Sequence, residues 1–112
     1  MKRIHYASGT LLTGDAIADV LVRYASALAA NGVAGEVRAP AVLESGETGE
    51  ALLLLGPASQ ILVEDVPAMT ADLDSDEFVA ELEARIVALG PKRATFAERG
   101  ADDVDGIDLD YL

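Results

Sequence analysis

The chain has 112 residues, 51% of them hydrophobic but only 4% aromatic, and no cysteine. That is enough for one domain with a core of Ala, Val, Leu and Ile, and it excludes a disulfide framework or a thiolate metal site. Twenty acids against eight Lys and Arg give a formal charge of −12, a field that repels nucleic acid and anionic membranes and favours basic proteins or cations.

The charge is uneven: residues 1–66 hold four bases and eight acids, residues 67–112 four bases and twelve acids. The opening MKRIHYASG reaches His5 and Tyr6 before any apolar run, unlike a signal peptide, and no stretch approaches the ~20 apolar residues of a membrane span. The expectation is a soluble, cytoplasmic protein with no direct contact to nucleic acid or membrane.

Lys2 to Ser8 alternates, with Ile4 and Tyr6 on one side and Arg3 and His5 on the other, which predicts a half-buried strand ended by Gly9. Thr13 is placed to cap a helix and Asp15 to sit in its first turn. Ile17, Val20, Leu21, Tyr24, Ala25 and Leu28 then recur at three- and four-residue steps until Asn31-Gly32 supplies a stop. Val33 to Ala39 predicts a second strand with Glu36 and Arg38 on its wet side, and Pro40 pushes that strand towards a sheet edge. Glu44 to Glu50 is polar and reads as a loop.

Ala51 to Val66 is the most apolar segment. Its runs Ala51–Leu55 and Ile61–Val63 flank Gly56, Pro57, Ala58 and Ser59, which predicts a buried hairpin. Four consecutive leucines leave no polar face, so the strand is expected to be central or covered on both sides, and Asp in place of Leu53 or Leu54 to unfold the domain. Asp74 and Glu77 resemble a capping box. The helix after it buries Phe78, Val79, Leu82, Ile86 and Leu89, pairs Glu81 with Arg85 and ends at Gly90-Pro91.

The fold class is therefore α+β: a single domain over residues 1–91, with one mixed sheet of about four strands and two helices in the order β-α-β-β-β-α, and an acidic, flexible tail over residues 92–112. Any parallel pairing of the first two strands requires a right-handed crossover.

No motif fixes a chemistry. Asp72, Asp74, Asp76 and Glu83 have the spacing of a calcium loop, but Glu77 stands where that loop turns on Gly, so no metal is assigned. His5 is the one histidine and reads as a sheet-surface residue. Thr13, Gly14 and Asp15 at a helix start could hold an anion, though capping explains them. No catalytic residue, cofactor or metal site is expected.

The leading reading is a non-enzymatic protein-interaction or self-assembly module, contacting a basic protein partner or a second copy in a homo-oligomer. In the tail, Asp103, Asp105, Asp108 and Asp110 supply charge while Ile107, Leu109 and Tyr111 supply apolar anchors. The alternatives are an antitoxin-like acidic inhibitor of a basic nucleic-acid-binding protein and a small enzyme built on His5 or several acids. On the leading reading, deleting residues 101–112 leaves the melting temperature within a few degrees while weakening partner binding. A large loss of stability in thermal melts would show instead that the tail packs on the domain.

Overall fold

A computed structural model describes residues 1–7, 9–67 and 72–90. The elements are β1 (Lys2–Tyr6), β2 (Gly9–Thr13), α1 (Asp15–Asn31), β3 (Gly35–Val42), β4 (Thr48–Leu55), β5 (Ile61–Asp65) and α2 (Asp76–Leu89). The strands form one antiparallel sheet in the order β4-β3-β2-β1-β5. The α+β class and both helices follow the sequence. The mixed four-stranded sheet does not: Gly9, expected to end the first strand, opens a further one, with Tyr6 opposite Gly9 and Lys2 opposite Thr13. Among the described residues no strand pair is parallel, so no crossover of that kind arises there.

The buried hairpin also gives way. β4 pairs with β3 and β5 with β1, so the two strands lie at opposite ends of the sheet. Gly56 to Ser59 does turn, with the Ser59 N–H donating to the Gly56 carbonyl at 3.1 Å and the Gly56 N–H to the Ser59 hydroxyl at 2.8 Å. The turn redirects the chain without laying β5 on β4. β4 starts at Thr48, inside the expected loop, and is an edge strand: Leu53 and Leu55 face the core, whereas Leu52 and Leu54 are 55% and 64% exposed.

A five-residue connection between opposite ends of a five-stranded sheet forces curvature. Flat strands spaced at about 4.8 Å would leave β1 and β4 roughly 14 Å apart, too far for one side chain to bridge. Yet the Tyr6 hydroxyl donates to the Leu54 carbonyl, so the sheet curls until its ends approach. β2 and β3 pair only at Leu12 and Val42. β3 is not the edge strand that Pro40 predicts, since β4 lies outside it, but its side towards β2 is mostly unpaired, and there Pro40 has no N–H to lose. Side chains take over from the missing strand: Thr13 Oγ1 donates to the Pro40 carbonyl at 2.7 Å and Arg85 Nη1 to the Glu36 carbonyl at 2.8 Å.

α1 buries its apolar stripe against the concave face, and α2 packs chiefly against α1. Ile17, Val20, Leu21, Tyr24 and Leu28 from α1 meet Phe78 and Leu82 from α2 and Ile4, Val37, Ala39 and Leu55 from the sheet. α1 ends on Gly32 at φ 67, a left-handed cap that glycine adopts without a Cβ clash. Its start differs from expectation. Gly14, not Thr13, is the N-cap, because Thr13 is buried and committed to β3. A Cβ on Gly14 would run into the Leu73 carbonyl, so the 72–73 segment lies directly against the helix start. At α2 the cap is Ser75, whose hydroxyl accepts from the Phe78 N–H at 3.2 Å, one residue beyond the expected Asp74.

Orientation along β4 gives a direct stability test. Leu53→Asp places an unpaired carboxylate against the core and is expected to cost several kcal/mol, about half or more of the stability of a small domain. Leu54→Asp puts it in water and is expected to melt cooperatively within a few degrees of wild type. Thermal denaturation of the two variants distinguishes this orientation from a strand covered on both faces, in which both would unfold.

Candidate functional site

β4 and the hollow beside α2

Strand register places Glu36, Arg38 and Pro40 of β3 and Thr48, Glu50, Leu52 and Leu54 of β4 on the convex face of the sheet, away from the core. α2 lies along the edge of β3 that β2 leaves open, fixed there by Arg85, and a hollow of about 390 Å³ forms between them. Four carboxylates line it, Glu36 and Glu50 from the sheet and Glu77 and Glu81 from α2, against two guanidiniums, Arg38 and Arg85. Arg85 is already engaged: Nη2 donates to Glu81 at 2.7 Å, the pair expected one turn apart, and its guanidinium sits 5.8 Å from the Tyr24 ring centre. Its pKa is raised, first by the Tyr24 hydroxyl and then by Glu81. Arg38 has no carboxylate within 4 Å among the described residues, whereas Arg3 and Arg23 are both paired. The hollow keeps a net negative character, and Leu52, directly across from Arg38, begins the exposed apolar strip next to it.

Two other hollows carry less chemistry. One of about 570 Å³ lies where the ends of the sheet approach, among Tyr6, Ala7, Ala34, Leu54 and the 56–60 loop. Its phenol is spent on the Leu54 carbonyl. The other is small and lies between Asp15 and the end of β5.

The singled-out residues scatter. Asp103, Asp105, Ile107, Asp108, Leu109, Asp110 and Tyr111 lie outside the described residues. Thr13 is buried, and the amide at the start of α1 already has an anion from its own chain: the Asp15 N–H donates to Asp72 Oδ1 at 3.2 Å. Asp76 opens α2 and Glu83 bonds Arg23 at 3.2 Å, so the calcium spacing is dispersed, and among the described residues no group of three acids or histidines could hold a metal ion. None of the three hollows is lined by His5, Thr10 or Thr13. His5 is on the convex face, with Nε2 2.6 Å from Glu64. Among the described residues no helix is long and apolar enough to cross a membrane.

The acidic hollow escaped sequence reading because its residues come from positions 36–50 and 75–85, joined only by the placement of α2. The one signal available was Glu36 and Arg38 sharing the wet side of a strand.

At the opposite edge, β5 is tied to β1 by charge as well as by the ladder. His5 foremost, with Arg3, holds the Glu64 carboxyl below its ordinary pKa, and Lys2 does the same for Asp65. Carboxyls depressed in the folded state contribute stability above the unfolded value of about 4, and that contribution is lost as pH falls through the lower folded values. Acidification from pH 6 to 3 is therefore expected to lower the melting temperature, and Glu64→Gln with Asp65→Asn to flatten that dependence. An unchanged acid profile in the double variant would mean these pairs contribute nothing.

Comparison with protein-family models, with curated proteins and with solved structures finds no match to this chain.

Proposed function

We propose that the domain is a protein-interaction module that docks a basic partner protein along β4 and the acidic hollow beside it. One observation carries this reading: Leu52 and Leu54, 55% and 64% exposed on an edge strand, stand beside a hollow with four carboxylates and two guanidiniums. Apolar anchors bordered by one sign of charge suit a partner that buries aliphatic groups while its cations neutralise the rim. The formal charge of −12 supports the choice of a basic partner and opposes close approach of a second copy. It also supports a narrower version, in which the partner is a nucleic-acid-binding protein whose basic groove the domain occupies.

The test separates anchored docking from general attraction between opposite charges. Leu52→Asp adds a negative charge, so charge attraction alone would tighten binding of a basic, amphipathic peptide, whereas docking on Leu52 would weaken it. A loss of about tenfold in affinity by fluorescence anisotropy at moderate salt is expected for Leu52→Asp, with a similar loss for Leu54→Asp. Equal or tighter binding by both variants would remove the proposal.

A further inference from the structure

We infer that the partner engages β4 as an added antiparallel strand, with an apolar residue opposite Leu52 and, two residues further along, a Lys or Arg opposite Glu50. This rests on the docking reading above and adds its mode and its sequence pattern. Along an antiparallel strand, alternate residues point both backbone hydrogen-bonding groups to the same side. The Leu54 carbonyl accepts from Tyr6 and so faces away from β3. Pro40, which has no N–H, stands opposite Glu50, so that pair cannot exchange two ladder bonds. Both observations give the same phase: Ala51 and Leu53 bond to β3, while Thr48, Glu50 and Leu52 direct their N–H and C=O groups outward. These are a ready template for a strand from another chain.

The edge is selective about what it accepts. Tyr6 occupies the Leu54 end, and among the described residues no strand pairs with the outer side of the span from Thr48 to Leu52. A second copy pairing with that span about a two-fold axis would set Glu50 against Glu50, an unfavourable contact between like charges directly opposite each other. The same carboxylate is complementary to a cation. Side chains opposite Leu52 and Glu50 also fall on the convex face, where Leu52 is exposed and Glu50 lines the acidic hollow. Apolar-x-cation is thus the pattern that meets both, and Gly49 and Ala51 between them present little bulk on the other face.

The experiment uses the full chain and capped nonapeptides of alternating threonine with a central valine–threonine–lysine, compared with valine–threonine–glutamate and with a lysine–leucine peptide of helical period. Wild type is expected to bind the lysine strand peptide at least tenfold more tightly than the glutamate one, and Glu50→Lys to invert that preference. Nuclear magnetic resonance is expected to show the Glu50 and Leu52 amides slowed in exchange by the bound peptide. A preference unmoved by Glu50→Lys, unaltered amides, or no binding of either strand peptide would overturn the inference. Binding of the helical peptide alone, weakened by Leu52→Asp, would overturn strand addition and leave the docking proposal standing. A dimer of the wild-type chain protected along β4 would show that the edge serves a second copy instead.

Discussion

The constraint on which this fold depends is the short passage from β4 to β5. Residues 56–60 must carry the chain from one end of the strand order to the other, and they include a tight turn. A flat sheet cannot meet that requirement, so the sheet curls, and the Tyr6 hydroxyl on the Leu54 carbonyl joins the approaching ends. Within this sheet β2 and β3 part except at Leu12 and Val42. Carbonyls stranded by the separation would be costly if buried without partners. Thr13 and Arg85 remove that cost from opposite directions, one from the end of β2 and one from α2.

Arg85 therefore links fold to site. Its guanidinium holds α2 against the open edge of β3, lies near the Tyr24 ring and bonds Glu81. The same placement brings Glu77 and Glu81 of α2 opposite Glu36 and Glu50 of the sheet. Repulsion among these acids is moderated by Arg38 and Arg85 but not cancelled, and the surplus negative charge sits where the exposed leucines begin. The opposite edge behaves differently, since β5 is short and its Glu64 and Asp65 are consumed by His5, Arg3 and Lys2. Charge at that edge contributes to holding a strand, whereas beside β4 Glu81 pairs with Arg85 while the Glu36, Glu50 and Glu77 carboxylates have no cation within 4 Å among the described residues.

Much of the fold was legible because local rules and tertiary packing agree. The α1 stripe from Ile17 to Leu28 is buried as its period requires, Gly32 ends it, and Glu81 and Arg85 pair as their spacing implies. Failures came where identity depends on a distant partner. Gly9 is a breaker by propensity but a strand opener once Tyr6 lies opposite. Leu52 to Leu55 looks uniformly buried, yet an edge strand on a curled sheet covers one face only, and hydrophobicity alone cannot say which leucines face water. Pro57 and Ser59 specify a turn but not the strand that receives β5. The candidate site was less legible still: Glu36, Glu50, Glu77 and Glu81 share no period or motif.

Among the described residues β4 bonds to one neighbour, β3, and its other edge carries no strand. Amide hydrogen exchange in the free protein reads this residue by residue. The Ala51 and Leu53 amides, bonded to β3, are expected to exchange slowly, and those of Glu50 and Leu52 between them to exchange orders of magnitude faster. Uniform protection from Glu50 to Leu53 would show that β4 is paired on both sides, and the account of an open, acidic docking edge would be contradicted.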